Sequence, residues 1–219
     1  MKGVILGAGA QGRITAEIWR AIDADIEILF FDDNAALHGT TLDGFPIVGP
    51  IRSFSAMDPG DASALIAVGN NMQRLELAQA STPHRIAWAV LAHPSAVVMP
   101  SAEIGEGSIV LPLALVNTGA VLGKHVLINS AAIVEHDSTI EDGASLGPGV
   151  STGGRVRVGR GAFISAGVTI APRVSIGGGT IVGAGAVVVS DLPEGVLAYG
   201  VPARVVRTLE GAGDFSRVL

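Results

Sequence analysis

In the stretch "IVEHDST", residues 133–139, one histidine stands between two acids in an otherwise small, aliphatic run. An imidazole titrates near neutral pH, and a neighbouring carboxylate can fix its tautomer and raise its basicity, so His136 beside Asp137 has the makings of a general base. The same histidine could instead ligate a metal ion or sit on a plain surface; the backbone that carries it decides. A second set of residues lies near the N-terminus. Gly7, Gly9 and Gly12 form G-x-G-x-x-G, and Asp32 follows Gly12 by twenty residues. Glycines so placed let the backbone approach phosphate at a helix N-terminus, while the acid takes a ribose hydroxyl. A dinucleotide site for nicotinamide or flavin, a mononucleotide or nucleotide-sugar site, and a structural tight turn are the three readings. About ninety residues hold only one nucleotide-binding half, which favours the second.

The backbone around His136 is set by a repeat of six. From Val98 to Val188, every sixth residue is Val, Ile or Leu at fifteen of sixteen positions, Thr152 being the single lapse. Small or β-branched residues recur four places later, as at Ala102, Ser108, Ala114 and Ala120. A period of six is neither helical nor alternating, and it is the signature of a parallel β-helix. Each hexapeptide supplies one short strand and one corner, and three make a coil of 18 residues whose aliphatic side chains stack inside. His136 is third in its hexad, which places it at a corner and not in the inward stack. Only one aromatic, Phe163, falls within the repeat, in keeping with a narrow interior.

Ahead of the repeat, strands alternate with helices, as in a small parallel sheet with covered faces. Lys2 to Leu6 is an apolar run, Ile14, Ile18, Ala21 and Ile22 recur at helical spacing, and "DIEILFFDDN" is a second strand ending in Asp32 and Asp33. "ALIAVGNN" is a strand ending at Gly69, a helix covers 71 to 80, "HRIAWAVL" is a final strand, and "AHPSAVV" is a linker. The expected organisation is an α/β half-Rossmann domain over residues 1–91, an all-β parallel β-helix over 98–190, and a C-terminal cap and tail over 191–219, where Pro193 and Pro202 break the pattern.

Composition bounds the partners. A net charge of −6 offers no basic footprint and argues against nucleic acid. The absence of cysteine excludes disulfides and thiolate chemistry and suits a reducing cytoplasm. No apolar run approaches the ~18 residues of a membrane span, so a soluble protein is expected. Thirty glycines in 219 residues are roughly twice ordinary usage.

The repeat, the single nucleotide-binding half, "VEHDSTI" and the closing "YGVPARVV" together resemble one bacterial family over nearly the whole chain. It comprises acetyl-CoA-dependent acyltransferases acting on nucleotide-linked 4-amino sugars, and the related sialic-acid O-acetyltransferases. The resemblance implies a left-handed coil, a homotrimer, and acetyl-CoA as co-substrate in the groove between subunits. It implies UDP- or GDP-linked sugar as acceptor and a role in surface glycan or lipopolysaccharide synthesis. Carried over by position, His136 would be the base, Asp137 its orienting acid (where a glutamate is common), and Asn129 a residue near the reacting group or a corner cap. The donor's pantetheine arm would lie against Ser145, Ala166 and Ala184. Gly9, Ala10, Gln11, Asp32, Asp33 and Gly69 would hold the acceptor, with Gln11 where a histidine sometimes stands. Arg155, Arg157 and Arg160 could meet the CoA phosphates or form a solvated corner.

The same residues admit other readings. O-acetylation of a sugar hydroxyl would use the same base, and a non-catalytic nucleotide-sugar scaffold would need none. Prisms of this kind also carry zinc-dependent carbonic anhydrases, which need three histidines around one ion. His93, His125 and His136 occupy different places in their hexads, so no metal site is expected.

Overall fold

A computed structural model describes residues 2–56, 62–81 and 87–210. The first apolar run forms β1 (Lys2–Leu6), flanked by β2 (Glu27–Phe31) and β5 (Ala62–Ile66), both parallel to it. A hairpin of β3 (Thr41–Leu42) and β4 (Phe45–Gly49) extends one side, and β6 (Ala87–Trp88) closes the other, giving the order β3-β4-β2-β1-β5-β6. The hairpin turns at Asp43–Gly44, both with positive φ, the Asp-Gly pair that such tight turns favour. Helix α1 (Ala10–Ile22) buries Gly12, Thr15, Ala16, Ile18 and Trp19, whereas Ile14 and Ile22 are exposed. The inward stripe is therefore rotated from the expected one, because the large Trp19 ring takes the place over the sheet. A Cβ on Gly3 would lie 2.9 Å from that ring.

The repeat resolves into seventeen two-residue strands, β7 (Leu91–Ala92) to β23 (Val187–Val188), separated by four-residue corners. They make three parallel sheets. The first face contains β7, β10, β13, β16, β19 and β22, the second β8 through β23 at every third strand, and the third β9 through β21. Strand pairs register at an offset of 18, as in Ile109↔Leu127, Leu127↔Ser145, Ser145↔Phe163 and Phe163↔Ile181. The last residue of each strand is the hexad aliphatic. Val110 through Val188 in this series are buried, stacked with the small corner residues Ala114, Ala120, Ala132, Ala144 and Ala162.

Two boundaries shift from expectation. The coil begins at Leu91, not Val98, so "AHPSAVV" is its first corner and not a linker; Leu91 pairs with Ile109 and Ala92 with Val110. The start is concealed because Ala92 occupies the place of an aliphatic. For the same reason "HRIAWAVL" is not one strand: β6 belongs to the N-terminal sheet and β7 to the coil, and residues 84–86 lie outside the described residues. After β23 the offset shortens, with Ile181 pairing to Leu197. Strands β24 (Val196–Gly200) and β25 (Ala203–Thr208) form an antiparallel hairpin on the first face. The tail from 211 onward lies outside the described residues.

The N-terminal sheet packs against the first face. Leu91, Ile109, Leu111 and Leu127 share one buried cluster with Ile5, Ile18, Trp19 and Phe30. A buried staple adds to this. Arg74 of helix α2 (Asn71–Ser81) is 3% exposed and donates to five neutral oxygens: those of His125 (3.0 Å), Val68 (2.8 Å), Asn71 (2.8 Å), Gly143 (2.8 Å) and Ser145 (2.9 Å). Asn71 donates in turn to the carbonyls of Gly161 and Ala162, and the Ser145 hydroxyl donates to Asn71. Burial lowers the guanidinium pKa to about 10, which still leaves it charged at neutral pH.

Removing Arg74 strands buried acceptors on both sides of this junction. Arg74→Ala is expected to cost about 3 kcal/mol in urea unfolding. Arg74→Lys should recover little of it, because an ammonium cannot span the fork of acceptors.

Candidate active site

Since the chain visits the three faces in turn, the prism has three edges. Asn129, Ala166 and Ala184 follow first-face strands and stand on the first edge. His136, Asp137 and Arg155 follow second-face strands and stand on the second edge. Lys124, His125, Asp142 and Arg160 stand on the third. The second edge is opposite the face that the N-terminal sheet covers.

At the second edge, "EHD" is held from several sides. His136 Nδ1 lies 2.9 Å from Asp137 Oδ2, and both side chains are half exposed. Asp137 has φ +57°, a left-handed conformation that aspartate tolerates better than most residues. Arg155 Nε is 3.5 Å from the same carboxylate oxygen. The hydrogen bond from His136 holds the Asp137 carboxyl below its usual range, with the charges of the imidazole and of Arg155 acting the same way. An ionised Asp137 accepts the Nδ1 proton and leaves Nε2 as the basic nitrogen. The His136 backbone is fixed too: its N–H donates to Glu135 Oε2 (3.1 Å), and its carbonyl accepts from Arg155 N (2.9 Å). Glu135 Oε2 also accepts from Asn117 Nδ2 at 2.9 Å. Nε2 lies directly over Gly154, where any Cβ would collide with it.

In the N-terminal sheet, Gly7 has φ +109° and Gly12 approaches the Gly7 carbonyl so closely that no Cβ fits. Gly9 is the N-cap of α1, which has neither a side-chain cap nor an acid in its first turn. The exposed Gly9 and Ala10 therefore leave helical N–H groups free for an anion. Asp32 Oδ2 accepts from Ala8 N (2.7 Å) and Oδ1 from Asn34 N (2.8 Å), so the acid braces the glycine turn. Asp33 accepts from Ile51 N (2.9 Å), and Gly69 is exposed beyond β5. Gln11 is half-buried and lines a small cavity with Arg74 and His125, and its Nε2 is buried without a hydrogen-bond partner.

The structure bears on three of the expected placements. Ser145 is 2% exposed under α2, its hydroxyl engaged by Asn71 and Arg74, so it is a junction residue and not a wall for the pantetheine arm. Asn129 uses its Oδ1 to accept from Ser130 N (2.8 Å), as a corner cap, and it lies on a different edge from His136. The three arginines do not cluster. Arg155 faces Asp137, Arg157 pairs with Glu141 on the third face, and Arg160 lies on the third edge. Ala166 and Ala184 are exposed, though not on the His136 edge. His93, His125 and His136 stand on three separate edges of the coil. A cleft of about 510 Å³ on the third edge, between Trp88, Lys124, Asp142 and Arg160, does not include His136. Sequence reasoning missed Glu135, Thr152 and Gly154; the last two lie one coil beyond the EHD corner, so an offset of 18 would have found them.

The chain is similar to several known proteins. Residues 2–80 match the model of the PglD N-terminal domain. GDP-perosamine N-acetyltransferase of Escherichia coli O157:H7 is 30% identical over 157 residues, 69% of this chain and 70% of that protein. The acetyltransferase domain of PglB from Neisseria gonorrhoeae FA1090, solved with acetyl coenzyme A, superposes with a TM-score of 0.89 at 35% identity, covering 94% of this chain and 98% of that one. PerB from Caulobacter crescentus, solved with CoA and GDP-perosamine, superposes at 0.87 with 35% identity and the same coverage. The chain belongs to the family of acetyl-CoA-dependent nucleotide-sugar N-acetyltransferases.

His125, beside Trp88 with ring centroids 4.9 Å apart, supplies a pH test of the junction. Burial first, and the nearby Arg74 charge second, lower its pKa from 6.5 to about 4. The unfolded chain thus binds this proton near pH 6.5 and the folded chain only near pH 4. Stability is expected to be unaffected by His125 above pH 6.5 and to fall as the pH drops from 6.5 to 4. Chemical unfolding across that range should show the slope, and His125→Phe should flatten it.

Proposed function

We propose that this chain transfers the acetyl group of acetyl-CoA to the amine of a UDP- or GDP-linked 4-amino sugar, with His136 as general base. The observation that carries the reading is the His136–Asp137 pair at an exposed edge, with Nδ1 engaged and Nε2 bare. As the sugar amine attacks the thioester carbonyl, Nε2 takes its proton, and Asp137 stays ionised and stabilises the imidazolium. A backbone N–H steadies the oxyanion. Collapse breaks the C–S bond, and the imidazolium returns the proton to the departing CoA thiolate. No residue forms a covalent acyl intermediate.

We infer assembly as a homotrimer of left-handed coils, and the placement of the residues supports a site shared between copies. The N-terminal sheet, with Gly9, Ala10, Asp32, Asp33 and Gly69 for the sugar nucleotide, covers the first face, while His136 stands on the opposite edge. Acceptor and base meet only if they come from different copies. Likewise Ala166 and Ala184, against which the pantetheine arm would run, and Asn129 reach His136 from a neighbour's first edge. We place the enzyme in the cytoplasm, in surface glycan or lipopolysaccharide synthesis, between the reaction that aminates the sugar and the glycosyl transfers that consume it.

Thiol release from acetyl-CoA in the presence of GDP-perosamine or a UDP-linked 4-amino sugar tests this. Turnover is expected with one of them, His136→Ala should lower kcat by about 10²-fold or more with little change in KM, and Asp137→Asn by about tenfold. Turnover undiminished in His136→Ala, or none with any nucleotide-linked amine, would overturn the reading.

A further inference from the structure

The single lapse in the aliphatic series, Thr152, lies one coil beyond His136. In the sheets of the prism, the residue after each strand donates its N–H to the last residue of the strand one coil further on. Asn117 N bonds the Val134 carbonyl, Gly153 N that of Ile170, Gly123 N that of Ile140, and Asn129 N that of Leu146. Between the coils of His136 and Thr152 this rung is missing. Glu135 N donates instead to the Thr152 hydroxyl at 2.9 Å, and the strand pairing there narrows to Ile133↔Ser151. Among the described residues that follow a strand of the coil, Glu135 is the one whose rung goes to a side chain; at the C-terminal end of the coil Ser175 N, at the start of its strand, also turns to a side chain, Asp191 Oδ1 at 2.8 Å.

The hydroxyl sits in the interior row. Thr152 is 3% exposed among valines and isoleucines that serve the same row elsewhere, a place where an aliphatic residue would complete the ladder and bury no polar atom. Burying a hydroxyl has a free-energy cost unless it is bonded. Its bond goes to the residue that precedes the base, and that residue's carboxylate in turn holds the His136 N–H. Two residues on, Gly154 leaves the clearance that Nε2 occupies.

We propose that Thr152 is a positioning residue for the acetyl transfer: its hydroxyl diverts the rung at Glu135 and so seats the Glu135–His136–Asp137 corner over Gly154. The proposal rests on His136 being the base. An aliphatic residue at 152 closes the ladder and draws Glu135 toward the Thr152 carbonyl, moving the imidazole off its seat. Small misplacements of this kind can cost a reaction up to about 10²-fold.

The test compares Thr152→Val, which keeps the shape and loses the hydroxyl, with Thr152→Ser, which keeps the hydroxyl, in the intact enzyme with acetyl-CoA and the accepted sugar nucleotide. Thr152→Val is expected to melt at or above the wild-type Tm, to lose about tenfold in kcat, and to keep KM for both substrates within about twofold. Thr152→Ser should keep kcat within about twofold even if its Tm falls. Wild-type kcat in Thr152→Val, or equal losses in both variants, would overturn the inference. So would a loss of activity that tracks a fall in Tm. His136→Ala in the same assay separates the two levels. If it is inactive while Thr152→Val is fully active, the base stands and the seat is wrong; if it is active, both are wrong.

Discussion

The 18-residue register of the coil is the constraint on which the rest of the structure depends. Two residues of strand and four of corner, repeated without a slip from Leu91 to Val188, put each corner residue directly over its counterpart 18 places away. His136 consequently lies over Gly154, and Asp137 beside Arg155. Except at Thr152, each inward aliphatic between Val110 and Val188 meets another, so a one-residue insertion would place polar residues inside and aliphatics outside along all that follows. A corner held on both sides by such a ladder has little freedom. Reactive side chains on it are pre-positioned at no entropic cost when substrate arrives.

Burial elsewhere keeps the N-terminal sheet in a fixed relation to that edge. Arg74 is a charge with only neutral oxygens around it, and those oxygens come from α2, from the loop after β5 and from two coils of the prism. An arrangement of this kind tolerates little relative movement, because any opening would leave a guanidinium and several carbonyls without partners in an apolar setting. The sheet is thereby fixed to the face opposite His136. A chain whose glycine turn and His136 lie on opposite sides suits the proposed site shared between copies.

Much of this was legible in the sequence because the informative patterns are local or strictly periodic. The phase of the hexads identifies the interior row, the place of His136 within its hexad identifies an edge, and the glycines after β1 identify a close helix–strand approach. What depends on contacts between distant segments was not legible. Ser145 belongs to the outward row Leu91, Ile109, Leu127, Ser145, Phe163, Ile181, whose first members disappear under the N-terminal sheet; small size alone suggested a groove wall, while its partners lie more than seventy residues earlier. The start of the coil was hidden because Ala92 replaces an aliphatic. The Asp43–Gly44 hairpin was missed, although its Asp-Gly pair is a turn signal. Thr152 registered as noise in a repeat, and its meaning appears only when the rung it diverts is traced to the residue before His136.

One nitrogen atom of His136 decides whether it can act as a base. If Asp137 holds the Nδ1 proton, neutral His136 presents an unprotonated Nε2 at the edge, the only form in which it can accept a proton from an attacking amine. The ¹⁵N shifts of His136 in labelled protein, recorded above its titration, report this directly. The structure predicts a protonated Nδ1 and a bare Nε2 in wild type, with the preference lost in Asp137→Asn. A proton found on Nε2 in the wild-type protein would contradict it.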